Sequence, residues 1–189
     1  MNRKFMATAL GGVAVAALAG CAVPGPGMMN GSGDSGHVYS RSRCGAPSSL
    51  PGQTVTVMLA DAGMGSMMGG TGPLGVPMML RSTPSTVVAG RISLVAQNMG
   101  WRSHELLILP LSAGSPAGRL VTGSDGRIDE AGALGEASAS CAADSGDGIT
   151  SGSVGWTTMT LPIGRYELVC NLANHYADGM RQEFDVTAG

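Results

Sequence analysis

The chain has 189 residues, of which 43% are hydrophobic and 13% charged, and it contains 31 glycines. The low charge and the frequent glycines argue against a long-helix or coiled-coil protein. The formal net charge is -2 at pH 7, so the chain lacks the basic surface that a nucleic-acid partner requires. This length accommodates one ordinary domain and a short additional segment.

The first twenty residues have the pattern of a secretion signal. A positive start that includes Arg3 and Lys4 precedes an apolar run over residues 5–18, which is too short to span a bilayer comfortably. Residues 18–21 read Leu-Ala-Gly-Cys and resemble the lipobox of bacterial lipoproteins. The resemblance implies that a signal peptide, residues 1–20, is removed and that Cys21 is lipidated, which anchors the protein to the bacterial cell membrane on its extracytoplasmic side. The alternative is a plain signal peptide cleaved nearby.

Residues 21–50 are rich in glycine, proline and serine and show no sustained period of 2 or 3.6. This composition predicts a flexible linker between the anchor and a domain that covers residues 51–189. His37 lies in this linker, and we interpret it as a solvated side chain because no other metal-ligating residue has a useful spacing to it.

The remainder of the chain has the pattern of an all-β domain, because short alternating segments are separated by turn residues. We predict eight strands: 53–59, 77–81, 91–97, 104–111, 118–122, 156–161, 165–170 and 181–187. Strands of this length and density indicate a β-sandwich. The long Gly/Ala/Ser-rich connection that follows Leu111 is predicted to hold a short helix over 129–137, which begins with acidic residues.

Three cysteines remain if Cys21 is lipidated. An export context favours a disulfide between Cys44 and Cys141, which leaves Cys170 as a free thiol. Spacing alone leaves the connectivity open.

The surroundings of Cys170 indicate a metal site. Cys170, His175 and Met180 form a C-x4-H-x4-M pattern between the last two predicted strands, and His104 begins an earlier strand. A thiolate, two imidazoles and a thioether are the ligands that suit copper cycling between Cu(I) and Cu(II). Gly179 permits the tight turn that this loop needs. A set that includes Glu105 as a ligand is the alternative.

These residues resemble those of the blue copper proteins, the cupredoxins, with a ligand loop similar to that of rusticyanin and sulfocyanin. The resemblance covers residues 53–188, including the N-x-G-x-x-x-H-E-L pattern that ends at Leu106. It implies a Greek-key β-sandwich with one type 1 copper per chain. Matched residue by residue, it makes His104, Cys170 and His175 the strong ligands and Met180 the axial ligand. The chain has three histidines in all, too few for multicopper oxidase or copper nitrite reductase chemistry.

A second signal is a methionine-rich segment that contains Met64, Met67, Met68, Met78 and Met79. We interpret these side chains as adaptable packing or a docking surface, with weak Cu(I) binding as the alternative. Two functions follow. The first is a lipid-anchored one-electron carrier, not an enzyme, that exchanges electrons with a redox partner protein. The second is a copper-buffering or copper-delivery lipoprotein that exchanges the metal with a donor or acceptor.

Overall fold

The computed structural model describes residues 43–61 and 78–189. Within these two ranges the chain forms nine β-strands and no helix, which confirms the predicted all-β class. The strands are β1 (Gln53–Asp61), β2 (Met78–Thr83), β3 (Thr86–Val88), β4 (Gly90–Asn98), β5 (Leu106–Pro110), β6 (Gly135–Ala137), β7 (Val154–Leu161), β8 (Gly164–Val169) and β9 (Arg181–Thr187).

The strands form two sheets that pack as a sandwich. The first sheet has the order β2-β1-β4-β7, and the second has the order β3-β9-β8-β5-β6. The β1–β4 and β3–β9 pairs are parallel, whereas the other neighbours are antiparallel. The predicted two-sheet β-sandwich is therefore confirmed.

The core between the sheets follows from the period of two along each strand. Val55, Val57 and Leu59 alternate along β1 and are fully buried. They lie in one cluster with side chains of the second sheet such as Leu168 and Phe184. Burying apolar side chains of this size stabilises the fold by about 1.5–3 kcal/mol each.

Strand β5 is buried on both faces. Leu106 and Ile108 belong to the cluster between the sheets, while Leu107 and Leu109 form a second cluster with Tyr176 and with residues of the long connection. The connection therefore covers the outer face of the second sheet. This cover explains why β5 is a continuous apolar run without polar alternation.

The predicted helix over 129–137 is wrong. Gly132 has a φ of +95°, a left-handed conformation that interrupts any helix, and a single turn forms in which the Ala133 amide donates to the Glu130 carbonyl. The last three residues of the predicted helix form β6, which pairs with β5. Pairing with an available sheet edge outweighs the helical preference of an acidic, alanine-containing segment.

The predicted strand over 118–122 is also wrong, and β3 and β6 were not predicted. Gly118 has a φ of +84°, and its amide donates to the Glu167 carboxylate and not to a neighbouring strand. The Leu120 amide likewise donates to the Tyr176 hydroxyl, so side chains take the place of a β-ladder partner. Thr122 makes one isolated bridge to Ile128.

A disulfide joins Cys44 to Cys141, the pairing that the export context favours, and Cys170 is a buried free thiol. The bond links the start of the domain to the long connection, 97 positions further along the chain. The same region is held by backbone hydrogen bonds, because the Arg43 amide donates to the Gly152 carbonyl and the Cys141 amide to the Val154 carbonyl. The long connection is therefore fixed to the sandwich at several points.

Several predictions fall on residues 1–42 and 62–77, which lie outside the described residues. These are the signal peptide, the lipidation of Cys21, most of the linker with His37, and the methionine-rich segment up to residue 77. Among the described residues, no helix is long and apolar enough to cross a membrane.

Candidate metal centre

His104 lies at one end of the second sheet, just before β5. Its amide donates to the Ile149 carbonyl at 3.1 Å, and the Ile149 amide donates back to the His104 carbonyl at 2.7 Å. This isolated bridge fixes the backbone of the residue, and its side chain is fully buried.

The turn before His104 is built by Asn98, the last residue of β4. The side-chain amide nitrogen of Asn98 donates to the carbonyls of Arg102 and Ile149, both at 2.7 Å. The side-chain oxygen of Asn98 accepts a hydrogen bond from the Gly100 backbone amide at 2.8 Å. One buried side chain therefore holds both the turn and the strand partner of His104. The Asn and Gly of the N-x-G-x-x-x-H pattern have this structural role.

The other three predicted ligands lie in the loop between β8 and β9. Cys170 directly follows β8, Met180 directly precedes β9, and the Cys170 amide donates to the Met180 carbonyl at 3.0 Å. The Met180 amide in turn donates to the His175 carbonyl at 3.0 Å. Gly179 has a φ of +108°, a conformation that residues with a side chain rarely adopt, and it makes the tight turn before Met180. The loop closes on itself through its own backbone.

The structure brings the thiol and both imidazoles together. His104 Nδ1 lies 3.2 Å from His175 Nδ1, and Cys170 Sγ lies 3.3 Å from the same His175 nitrogen. The three donor atoms all lie within 4.8 Å of one another. Met180 is fully buried at the base of the same loop, joined by its backbone to Cys170 and His175.

Burial keeps the Cys170 thiol and the His175 ring neutral in the metal-free protein. Burial raises the pKa of the Cys170 thiol to about 12, and the Glu105 amide, which donates to Sγ at 3.3 Å, opposes this only in part. Burial lowers the pKa of His175 to about 4, and the neighbouring His104 ring and Arg102 guanidinium lower it further. Since a metal binds thiolate and neutral imidazole, binding here releases the thiol proton.

Glu105, the alternative ligand, is not among the donors that converge. Its side chain is buried, and its carboxylate accepts a hydrogen bond from the Asn171 backbone. Burial, followed by the negative charge of Glu136, raises the pKa of this carboxyl to about 7. Glu105 therefore bridges the His104 side of the site to the residue after Cys170.

Asp61, the last residue of β1, is a site residue that sequence reasoning missed. Its Oδ1 atom lies 3.2 Å from His104 Nε2, the ring nitrogen that faces away from the other donors. The Trp101 amide donates to the same oxygen at 2.7 Å. Burial raises the pKa of Asp61, but its hydrogen bonds to His104, Trp101 and Arg102 outweigh this and lower it below its usual value. No feature of the sequence around Asp61 marks this contact, because it depends on how β1 and β4 lie side by side.

The methionine-rich segment divides between described and undescribed residues. Met78 is buried in the core at the start of β2, which fits the packing interpretation for this residue, and Met79 is half-buried on the same strand. Met64, Met67 and Met68 lie outside the described residues.

No family model matches the chain, and no curated protein matches it. Solved structures do resemble it. Reduced rusticyanin is similar over 73% of this chain and 82% of that chain, with 19% identity and a TM-score of 0.42. Rusticyanin from Thiobacillus ferrooxidans gives 21% identity over 72% of this chain and 79% of that chain, with a TM-score of 0.41. Auracyanin B gives 19% identity over 74% and 91% of the two chains, with a TM-score of 0.45.

These structural neighbours are cupredoxins. At this level of similarity they carry no residue assignment, so the site is argued from its own donors. Two imidazole nitrogens and a thiol converge in a buried position with a thioether residue at its base, a set that suits copper and not a hard cation such as Mg²⁺. The donor set fits one copper ion per chain.

Proposed function

We propose that this protein is a membrane-anchored one-electron carrier with a type 1 copper site formed by His104, Cys170, His175 and Met180. The observation that carries the proposal is the convergence of Cys170 Sγ and the two Nδ1 atoms within 4.8 Å in a buried position. A bound copper ion would supply the Cu(I)/Cu(II) couple, for which thiolate, imidazole and thioether are the matching ligands.

The frame around the donors supports electron transfer. His104 is fixed by paired backbone hydrogen bonds to Ile149, and the ligand loop is closed by the hydrogen bond from Cys170 to Met180. Donors held in this way keep nearly the same positions in both oxidation states, which keeps the reorganisation on electron exchange small. The same filled donor set leaves no open position for a substrate, so we expect no enzymatic turnover.

The route for the electron and the docking surface lie at the same end. His175 is 6% exposed, whereas the other three predicted ligands are fully buried, so it is the ligand residue nearest to solvent. Trp101 and Met99 are 57% and 44% exposed in the turn before His104. Exposed aromatic and thioether side chains are typical of contact surfaces, and we expect the redox partner to dock there.

The proposed location is the extracytoplasmic face of the bacterial membrane. The disulfide between Cys44 and Cys141 supports an oxidising compartment. The lipobox-like residues before Cys21 support the anchor. Mass spectrometry of the protein from a bacterial membrane fraction tests this: we expect a diacylglyceryl adduct on Cys21, and an unmodified Cys21 would contradict the anchor.

Copper buffering or delivery is the second candidate, and one observation favours it. The methionine-bearing segment 62–77 begins after Asp61, which contacts His104, and ends before Met78, whose amide donates to the Asp178 carbonyl in the ligand loop. The two described residues that flank this segment, Asp61 and Met78, therefore contact a predicted ligand and the ligand loop respectively.

Repeated redox cycling distinguishes the two functions. The protein is loaded with one equivalent of Cu(II), reduced with ascorbate in the presence of a Cu(I) chelator and reoxidised with ferricyanide, with the bound copper assayed after each step. We expect a strong thiolate-to-copper absorption that bleaches and returns while copper stays bound. Copper lost at each reduction would favour delivery, and replacement of Met64, Met67 and Met68 by Ile should then slow that loss.

A further inference from the structure

We propose that Asp61 is a positioning residue for the metal site, whose carboxylate fixes the tautomer of His104 and favours Cu(II) over Cu(I) at that ligand. This inference rests on the proposed function for its redox part. The claim that Asp61 fixes the tautomer of His104 applies to the metal-free protein as well.

The contact is built into the fold and does not depend on a flexible side chain. Asp61 lies on β1 opposite Met78 of β2, and its Oδ1 accepts the backbone amides of Trp101 at 2.7 Å and Arg102 at 3.4 Å. These donors hold the carboxylate against the turn that leads into His104. Its side chain is only 11% exposed, so solvent screens its charge weakly.

The turn leaves space for this contact at Gly100. A Cβ atom at Gly100 would lie within van der Waals overlap of Asp61 Oδ1 and 2.9 Å from His104 Nε2. No residue with a side chain fits between these two groups. Position 100 therefore requires a glycine, because the Asp61 carboxylate and the His104 ring meet directly above it.

The contact decides which ring nitrogen is free to bind metal. A carboxylate only accepts hydrogen bonds, so His104 Nε2, at 3.2 Å from Oδ1, carries the proton. Nδ1 then presents its lone pair towards Cys170 and His175, where the donors converge. An imidazole whose other N–H donates to a carboxylate is held in orientation and becomes a more basic ligand.

A more basic nitrogen and a nearby negative charge both stabilise the higher charge of Cu(II) more than that of Cu(I). Removing the charge should therefore weaken Cu(II) binding more than Cu(I) binding and raise the reduction potential. Loss of such an outer partner costs about 10–100-fold in metal affinity. A tenfold loss confined to Cu(II) corresponds to a rise of about 59 mV for a one-electron couple.

The first test uses two matched charge removals. Asp61→Asn keeps an oxygen acceptor but removes the charge. Asp147→Asn removes a charge from an exposed residue beside Gly148, where an added Cβ would lie 3.3 Å from Ser103 Cβ and 3.7 Å from the His104 carbonyl oxygen. We expect the potential of Asp61→Asn to rise and its Cu(II) affinity to fall at least tenfold, with the thiolate absorption retained. Asp147→Asn should match the parent protein. Equal potentials in the two variants would overturn the electrostatic role.

The second test needs neither copper nor a variant that must fold. Long-range 1H–15N NMR of the metal-free parent protein reports which ring nitrogen of His104 carries the proton. We expect the proton on Nε2, and a proton on Nδ1 would overturn the positioning role even if the protein binds copper. Failure of the parent protein to show a thiolate-to-copper band would instead overturn the proposed function, and the NMR result would still decide the role of Asp61.

Gly100→Ala gives a third, independent test. It retains the Asp61 charge but forces the carboxylate and the ring apart. We expect the same direction of change in His104 tautomer and in potential as for Asp61→Asn. Parent-like values of both in a folded Gly100→Ala protein would contradict the direct contact.

Discussion

The two halves of the proposed metal site are held in different ways. The ligand loop from Cys170 to Met180 is closed by its own backbone, and its three candidate donors are close in sequence. His104 depends on distant residues instead: its ring nitrogen contacts Asp61, 43 positions earlier, and its backbone pairs with Ile149. One half is a local motif, whereas the other exists only once both sheets are assembled.

This difference predicts how each half responds to mutation. Changes to the donor side chains of the loop should alter the metal chemistry while leaving the fold intact, because the strands β8 and β9 that frame the loop pair independently. Changes around His104 should alter stability and metal binding together, because the same side chains hold the fold and the ligand.

The largest expected effect is that of Cys170→Ser. The substitution removes the thiolate, so the visible absorption of the Cu(II) protein should vanish completely. The serine hydroxyl can still accept the hydrogen bond from the Glu105 amide. The free energy of unfolding of the metal-free variant should therefore lie within about 1 kcal/mol of that of the parent protein. Visible spectra and thermal unfolding measure the two effects, and an unchanged absorption band would contradict the assignment of Cys170.

Asn98→Ala should be the most destabilising change on the His104 side. It removes the acceptor of the Gly100 amide and the side-chain donor to the carbonyls of Arg102 and Ile149, of which the Ile149 carbonyl keeps the His104 amide; this costs about 3 kcal/mol. Copper binding should weaken as well, because the turn that carries the contact between Asp61 and His104 loosens.

Asn171→Ala is the matched change on the loop side. Asn171 holds Ile128 of the long connection through two side-chain hydrogen bonds, but it does not close the ligand loop. We expect a loss of stability of similar size with little change in the copper spectrum. If Asn98→Ala and Asn171→Ala change the spectrum equally in copper titrations, the distinction between the two halves is wrong.

Glu105→Gln tests the buried carboxyl that bridges the halves. Burial and the charge of Glu136 raise its pKa from 4.5 to about 7, so the fold favours its protonated form. Its contribution to stability is fully present below pH 4.5 and is lost as the pH rises through 7. Metal-free Glu105→Gln should therefore gain on the order of 3 kcal/mol over the parent at pH 8 and little at pH 4.5. Denaturant unfolding at both pH values measures this, and a gain independent of pH would contradict it.

Met180→Leu should have the smallest effect. Leucine conserves the volume of this fully buried side chain, so the fold and the absorption band should persist. Loss of a weak thioether donor disfavours Cu(II), so the potential should rise, on the order of 60 mV for a tenfold change in relative affinity. Voltammetry checks this, and an unchanged potential would show that Met180 is not an axial ligand.

The sequence predicts the features that depend on residues close together in the chain. Most strands were predicted because apolar side chains alternate. The ligand loop was predicted because its donors share a short segment with a glycine just before its last residue. The helix over 129–137 and the strand over 118–122 were wrong because left-handed glycines at 132 and 118 and side-chain partners such as Glu167 decide those conformations. Asp61 was missed because its role depends on the register of β1 against its neighbours, which no local pattern encodes.

The most direct test of the central claim is X-ray absorption spectroscopy of the copper-loaded protein in both oxidation states. We predict one sulfur and two imidazole nitrogens at bonding distance from copper, with little change on reduction. The sulfur contribution should disappear in Cys170→Ser. A shell of nitrogen and oxygen alone, or one that differs widely between Cu(I) and Cu(II), would contradict a preformed site made by His104, Cys170 and His175.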